Sequence, residues 1–226
     1  AIKLIEQISL KEGFGALLGE GGVKAARKLR KGAEKYITWS KGVLHQTGDM
    51  RESAGYMLGE AVSTRGADHL RGSTWFGAIP GSYEGVAKSV YENQLMATIT
   101  NCLEICTWNT TVAGLDISLE YVASLISALT GIDVDVAGVR DIADRVWNLE
   151  RAFQVREGIG RKDDVLVGRL WDEPMHGGPL DGLKVDKVKW QKMLDEYYEY
   201  NGWDKKTGIP TRARLESLGL GYIADE

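Results

Sequence analysis

The chain has 226 residues and a net charge of −4, with acidic and basic side chains interspersed. That is enough apolar sequence for one sizeable core or two small ones, and no basic tract is long enough to track a phosphate backbone, which excludes nucleic acid as an expected partner. No apolar run approaches a membrane span, no charged-then-apolar leader is present, and two cysteines four residues apart cannot form a disulfide framework, so a reducing, cytoplasmic setting is expected.

Ile2, Ile5 and Ile8 predict a first helix that opens the chain without an initiating Met, as the middle of something larger or a processed end would. The run 12–22, rich in glycine, is expected to break it. A second helix is predicted over Val23 to Leu29, with Lys24, Arg27 and Lys28 on a solvated face. Tyr36-Ile37-Thr38-Trp39 and Val43-Leu44 carry the only strand signals. From Ser53 the pattern is helical again through Ala54, Met57, Leu58 and Ala61, and it runs into Ser63-Thr64-Arg65-Gly66-Ala67-Asp68-His69-Leu70-Arg71-Gly72. Gly66 suits a left-handed terminator. The loop crowds an acid, an imidazole and guanidinium groups together, which marks a candidate site. The competing reading gives Asp68 a capping role and the arginines ordinary ion pairs.

Trp75 to Gly81 is a connector with turn chemistry at Pro80-Gly81. Ser82 is the expected N-cap of a long helix, with Glu84 in its first turn and Val86, Val90, Met96 and Ile99 on its apolar face. At roughly 20 residues it would span a small domain and lie at its centre. It delivers Asn101-Cys102-Leu103-Glu104-Ile105-Cys106-Thr107-Trp108. If the helix persists that far, both thiols share one face. A thiolate at a helix-to-loop transition can bind a soft metal or cluster iron; the alternative is two small buried hydrophobes.

Ser118 is predicted to cap a further helix bearing Leu119, Val122, Leu125, Ile126 and Leu129 and ending at Gly131. Asp135 starts the next, with Val139, Ile142, Val146, Leu149 and Phe153 as its apolar stripe and Trp147 beside them. A last long helix runs from Lys187 to Tyr200, and Thr211 caps a short one stopped by Gly219. Helical signals far exceed strand signals, so the expected class is mainly α, a multi-helix domain with little β-structure.

The run Arg145-Val146-Trp147-Asn148-Leu149-Glu150-Arg151-Ala152-Phe153-Gln154-Val155-Arg156-Glu157-Gly158, continued by Arg161-Lys162-Asp163-Asp164, resembles the C-terminal region of aldehyde:ferredoxin oxidoreductases. The loop 63–71, the cysteine stretch, and Leu194-Asp195-Glu196-Tyr197-Tyr198-Glu199 with Gly202-Trp203-Asp204 and Gly208-Ile209-Pro210-Thr211 agree in the same order. The resemblance implies a mainly helical C-terminal part of a tungsten (or molybdenum) bis-pyranopterin enzyme with a [4Fe–4S] cluster and Mg2+. It implies residues 1–38 as the terminal helices of a preceding helical domain and 39–226 as the cofactor-binding domain. The family's helix-ending Asp-x-x-Gly-Leu-Cys motif falls on Asn101 to Cys106. Cys106 thereby takes the role of cluster ligand, and Asn101, Leu103 and Ile105 that of pterin contacts. Asn101 stands for the Asp and keeps an acceptor while gaining donors. Glu104 and Ile105 stand for the Gly and Leu; Gly permits close backbone approach. Cys102 matches no ligand and is expected to be a packed thiol. His69 falls where the family has a histidine that helps proton transfer near the metal, and Arg71 where a basic residue contacts the cofactor.

The family's β-rich N-terminal domain and its Cys-x-x-Cys-x-x-x-Cys motif are absent from the sequence, so the chain alone is expected to be inactive. The implied partners are the remaining N-terminal domains, ferredoxin or an iron–sulfur subunit, and an aldehyde. A variant within the family is the active-site subunit of an aromatic acyl-CoA reductase, with Trp75, Phe76 and Trp108 lining its pocket. A reading of another class is a cofactor-free helical interaction domain. A zinc site from Cys102, Cys106 and His69 ranks last, because the cysteine spacing is not a usual zinc pair.

Overall fold

The computed structural model describes residues 1–45, 49–72, 79–106 and 117–225; Trp75, Phe76 and Trp108 of the expected aromatic pocket lie outside these. The described residues are mainly α. Helices α1 (Ile2–Leu10), α2 (Gly13–Leu18) and α3 (Gly22–Leu29) come first, then a hairpin of β1 (Trp39–Ser40) and β2 (Val43–Leu44). Then come α4 (Ala54–Val62), α5 (Val86–Cys102), α6 (Leu119–Thr130), α7 (Val136–Arg156), α8 (Lys187–Asn201) and α9 (Arg212–Ser217).

The predicted caps hold where the signal is local. Ser118, Asp135 and Thr211 each accept a hydrogen bond from a backbone N–H in the first turn of their helix. Four expectations are corrected. The glycine-rich run after α1 is not merely a breaker but forms α2, which packs on α1. The strand signal over 36–39 yields strand only at Trp39, since Ala33–Tyr36 winds into a 3-10 turn. The long helix starts at Val86 behind a left-handed Gly85 (φ 71°), so Ser82 is not its N-cap; Ser82 N–H instead bonds Ile79 O and closes the turn at Pro80-Gly81. That helix ends at Cys102, so the two cysteines do not share a helix face, and both are exposed rather than packed.

Helix α5 is central, as its length predicts. It packs against α4, α7 and α8 and belongs to two cores. One unites Met57, Leu58 and Ala61 of α4 with Trp190, Met193 and Leu194 of α8, Val90 of α5 and Trp147 of α7. The other joins Leu95 and Ile99 of α5 to Val122 and Ile126 of α6 and Val139 of α7.

The fifth correction concerns α7. Its predicted apolar stripe is buried at Val139 but turns outward along the helix, leaving Leu149 41% and Phe153 56% exposed. The inward face of the second half is a polar row, Asp144, Asn148, Arg151 and Gln154, with Trp147. Arg151 is the reason. Its guanidinium grips Asp164 through two bonds (Nη1–Oδ1 3.1 Å, Nη2–Oδ2 2.6 Å) and donates from Nε to Gly208 O at 2.8 Å. Lys41, from the tip of the hairpin, joins Asp164 at 2.8 Å, and Tyr198 OH donates to Oδ2 at 2.5 Å. The polar groups inside are thus matched to one another, as buried charges must be.

Candidate cofactor-facing site

The site is built where the loop 63–72, the end of α5 and the middle of α7 meet. The loop is shaped by local chemistry. Ser63 Oγ accepts from Arg65 N–H (3.2 Å), Gly66 takes φ 90°, and Asp68 Oδ1 accepts from Leu70 N–H (2.8 Å) while pairing with Arg65 (2.6 Å). Asp68 therefore has the capping role of the competing reading. Gly72 lets the loop press onto α5: a Cβ there would lie 2.5 Å from Gln94 N, and φ is 93°.

Arg71 is buried and donates to Glu150 Oε2 at 2.5 Å, with its guanidinium 5.3 Å from the Trp147 ring centre. Thr64 Oγ1 donates to the same Glu150 oxygen at 2.6 Å. Glu150 faces a groove of about 540 Å3 lined by Thr64, Arg65, Leu149, Phe153 and Gln154. The Cys102 thiol belongs to the same neighbourhood. Partial burial pushes its pKa up, Glu150 adds to the rise, and Arg71 works against it. Sequence reasoning named Arg71 but gave no role to Glu150 or Thr64; an acid beside Arg151 in a helix interior was the available signal.

Helix α5 ends in a Schellman turn. Glu104 N–H bonds Asn101 O (3.2 Å) and Ile105 N–H bonds Thr100 O (2.9 Å), with Glu104 left-handed at φ 59°. This is the position where the resembled motif has glycine. Around the turn, Asn101 and Cys106 are exposed, and Leu103 and Ile105 are half-buried. His69 stands apart from that turn in its own cluster. It stacks on Tyr56, with ring centres 5.7 Å apart and planes at 17°. Tyr56 in turn meets His45 edge-on at 6.3 Å, and His45 Nδ1 bonds the buried carboxylate of Glu60.

The sequence profile described as aldehyde ferredoxin oxidoreductase, domains 2 & 3, matches residues 1–220. The chain belongs to the aldehyde ferredoxin oxidoreductase family. Among its relatives, a "tungsten-containing aldehyde ferredoxin oxidoreductase" of Pyrococcus horikoshii is 33% identical over 227 residues, and that of Pyrococcus abyssi 32%. Each alignment covers 96% of this chain and 36% of the relative, so the chain spans about a third of their length. An "aliphatic sulfonate oxidoreductase, WOR-like subunit" of Pyrococcus furiosus is 30% identical, over 99% of this chain and 35% of its own. The fold is also that of a solved complex, the active site complex BamBC of benzoyl coenzyme A reductase with 1,5 dienoyl-CoA. There the TM-score is 0.68 at 20% identity, covering 98% of this chain and 39% of the other.

The described residues by themselves do not make up a complete metal or cluster site. Among the described residues no three His, Cys, Asp or Glu side chains lie together so as to hold a metal ion, which removes the zinc site of Cys102, Cys106 and His69. A [4Fe–4S] cluster is ordinarily held by four thiolates, and the chain has two cysteines, both exposed: Cys102 at the end of α5 and Cys106 past the Schellman turn. Cys102, with its raised thiol pKa, is the poorer ligand.

Proposed function

We propose that this chain is the cofactor-contacting C-terminal part of a tungsten (or molybdenum) bis-pterin, [4Fe–4S] oxidoreductase that oxidises aldehydes to carboxylic acids and passes electrons to ferredoxin. The observation that carries this reading is the α5 terminus. Its Schellman turn leaves Asn101, in the last turn of the helix, and Cys106, just past it, both exposed at one helix end, in a chain whose relatives include tungsten-containing aldehyde ferredoxin oxidoreductases. Cys106 supplies one cluster thiolate, and Asn101 with the backbone at Leu103 and Ile105 supplies hydrogen-bonding groups to a pterin. Arg71 and Glu150 close the adjoining wall, and His69 handles a proton at the substrate. When bound, the metal–pterin group supplies the two-electron chemistry and the cluster the onward electron path. The remaining cluster thiolates and the second half of the cofactor cradle come from other domains of the same enzyme. Within this chain we assign 1–38 to a preceding helical domain and 39–226 to the cofactor-binding one. Mg2+ belongs to the same proposed cofactor set. Among the described residues no helix is long and apolar enough to cross a membrane.

The test is elemental analysis of the whole polypeptide purified anaerobically from its source, with substrate screening. Tungsten or molybdenum near one per chain and about four irons is the expected result, with aldehyde turnover. Turnover of an aromatic acyl-CoA thioester instead would move the chain to the reductase branch of the family, a branch whose fold it shares. No heavy metal and no iron would leave a helical interaction domain and overturn the proposal.

A further inference from the structure

The cluster behind His69 contains two buried polar atoms without a hydrogen-bond partner among the described residues: His69 Nδ1 and Glu60 Oε1. Such atoms are rare, and an orphaned N–H is rarer than an acceptor left short. His69 Nδ1 is shut off from solvent, and no acceptor among the described residues reaches it. A proton on Nδ1 would therefore be a buried donor with nothing to donate to. A bare Nδ1 lone pair is the lesser penalty.

The groups around the ring leave it little choice. Tyr56 covers it in a stacked arrangement. Asp68, one residue before, has its carboxylate engaged by Arg65 and by the Leu70 N–H. Glu60 is wholly buried and bonded to His45 Nδ1 through Oε2. Tyr56 and Glu60 sit one turn apart on α4, and so on one face of it. His45 follows β2, whose hairpin is tied to α4 by Lys41 Nζ donating to Ala61 O. The Tyr56 phenol is itself held neutral: burial raises its pKa, and the charges of Glu60 and Asp68 raise it further. His69, Tyr56, His45 and Glu60 thus form a row of rings closed by a carboxylate.

We propose that neutral His69 is held in the Nε2–H form, a hydrogen-bond donor toward an oxygen of the substrate, and that Tyr56, fixed by the Glu60–His45 pair, is the positioning residue that holds it so. Which nitrogen carries the proton decides whether an imidazole offers a donor or a lone pair. With Nδ1 sealed, Nε2 is the nitrogen left to the site. A donor there suits a carbonyl oxygen, the group that an aldehyde and an acyl thioester share. This inference rests on the functional reading only for what His69 meets; the tautomer belongs to this chain.

The chain has three histidines, so imidazole nitrogen and carbon NMR of the histidine-labelled chain, well above the ordinary histidine pKa, resolves each ring. H69Q assigns His69. The expected spectrum shows Nδ1 as a bare ring nitrogen and Nε2 as a protonated one. Y56F keeps the stacked ring and should leave the pattern unchanged. Y56L should shift it toward a mixture of both forms while circular dichroism reports an unchanged helical fold. A protonated Nδ1 in the wild-type chain, or a mixture already present there, overturns the proposal whether or not Y56L folds. If Y56L folds and keeps the pure Nε2–H form, the role given to Tyr56 fails. None of these outcomes depends on metal content, which the elemental analysis decides separately.

Discussion

Glu150 and Arg151 are neighbours on α7, and each forms an arginine–carboxylate pair, but the two pairs live in different worlds. Arg151 turns inward to Asp164, where both side chains are 0% exposed and Lys41, Tyr198 and the Gly208 carbonyl complete the set. Glu150 turns outward, a third of its side chain exposed, to Arg71 and Thr64 on the wall of a groove. A pair closed on every side can only hold the fold together. A pair with a free side retains lone pairs and charge for whatever enters the groove. The stretch 145–158 with 161–164, one of those that resemble the family, thus contributes the closed pair to architecture and the open one to the candidate site.

The largest effect is expected from breaking the closed pair. Asp164→Asn leaves Arg151 and Lys41 buried without a counter-charge, so the folded state should lose about 3–5 kcal/mol, a fall on the order of 10 °C in melting temperature. Urea and thermal unfolding measure it; a loss below about 1 kcal/mol would mean the network is not closed. The acid limb adds a second reading. Burial alone would raise the Asp164 pKa, but Lys41 and Arg151 outweigh it and hold the carboxyl below the usual range. The folded chain then binds fewer protons here than the unfolded chain. The stabilisation is complete above the ordinary carboxylate value near pH 4 and is lost as pH falls through the lower folded value. Asp164→Asn should flatten that limb of the stability curve.

Glu150→Gln should cost less, about 1–2 kcal/mol, because Glu150 can still be hydrated and Arg71 keeps its place over Trp147. Its clearer signature is at Cys102. Burial raises the thiol pKa first and Glu150 second, so removing that charge should lower it. In a Cys106→Ala background, the pH at which a thiol reagent labels Cys102 half-maximally should move down in Glu150→Gln relative to the parent. An unchanged profile would separate Cys102 from the Arg71–Glu150 pair.

The contrast between the two pairs also explains what could be read from the sequence. Caps at Ser118, Asp135 and Thr211 were legible because the donor and acceptor lie within one turn. The loop 63–72 stood out because its charges are close in sequence. The inner face of α7 was not legible, since Leu149 and Phe153 continue an apolar period while the groups that bury Arg151 sit at Asp164, Gly208 and Lys41, remote in the chain. The Tyr56–His45–Glu60 row was missed for the same reason: three unremarkable residues become a cluster only when the hairpin closes on α4. The helix end was legible as a stretch, Asn101 to Cys106, but its last residue was not, because the usual signal, glycine at the left-handed position, is replaced by Glu104.

That substitution gives the smallest and most discriminating effect. A non-glycine residue in left-handed geometry costs roughly 1–2 kcal/mol, and glycine returns part of the gain through its freer unfolded chain, about 0.5–1 kcal/mol. Glu104→Gly should therefore stabilise the chain by up to about 1 kcal/mol, seen as a higher urea midpoint at an unchanged slope. The Schellman bonds from residues 104 and 105 to Asn101 and Thr100 use only backbone, so they survive the change. If stability rises and cofactor content of the intact enzyme is unaltered, the glycine of the resembled motif serves the turn, and its loss here is a tolerated strain. If cofactor content rises with it, the exposed Glu104 side chain stands in the way of the pterin. If stability falls, the Glu104 carboxylate makes a compensating interaction and the turn is not strained at all.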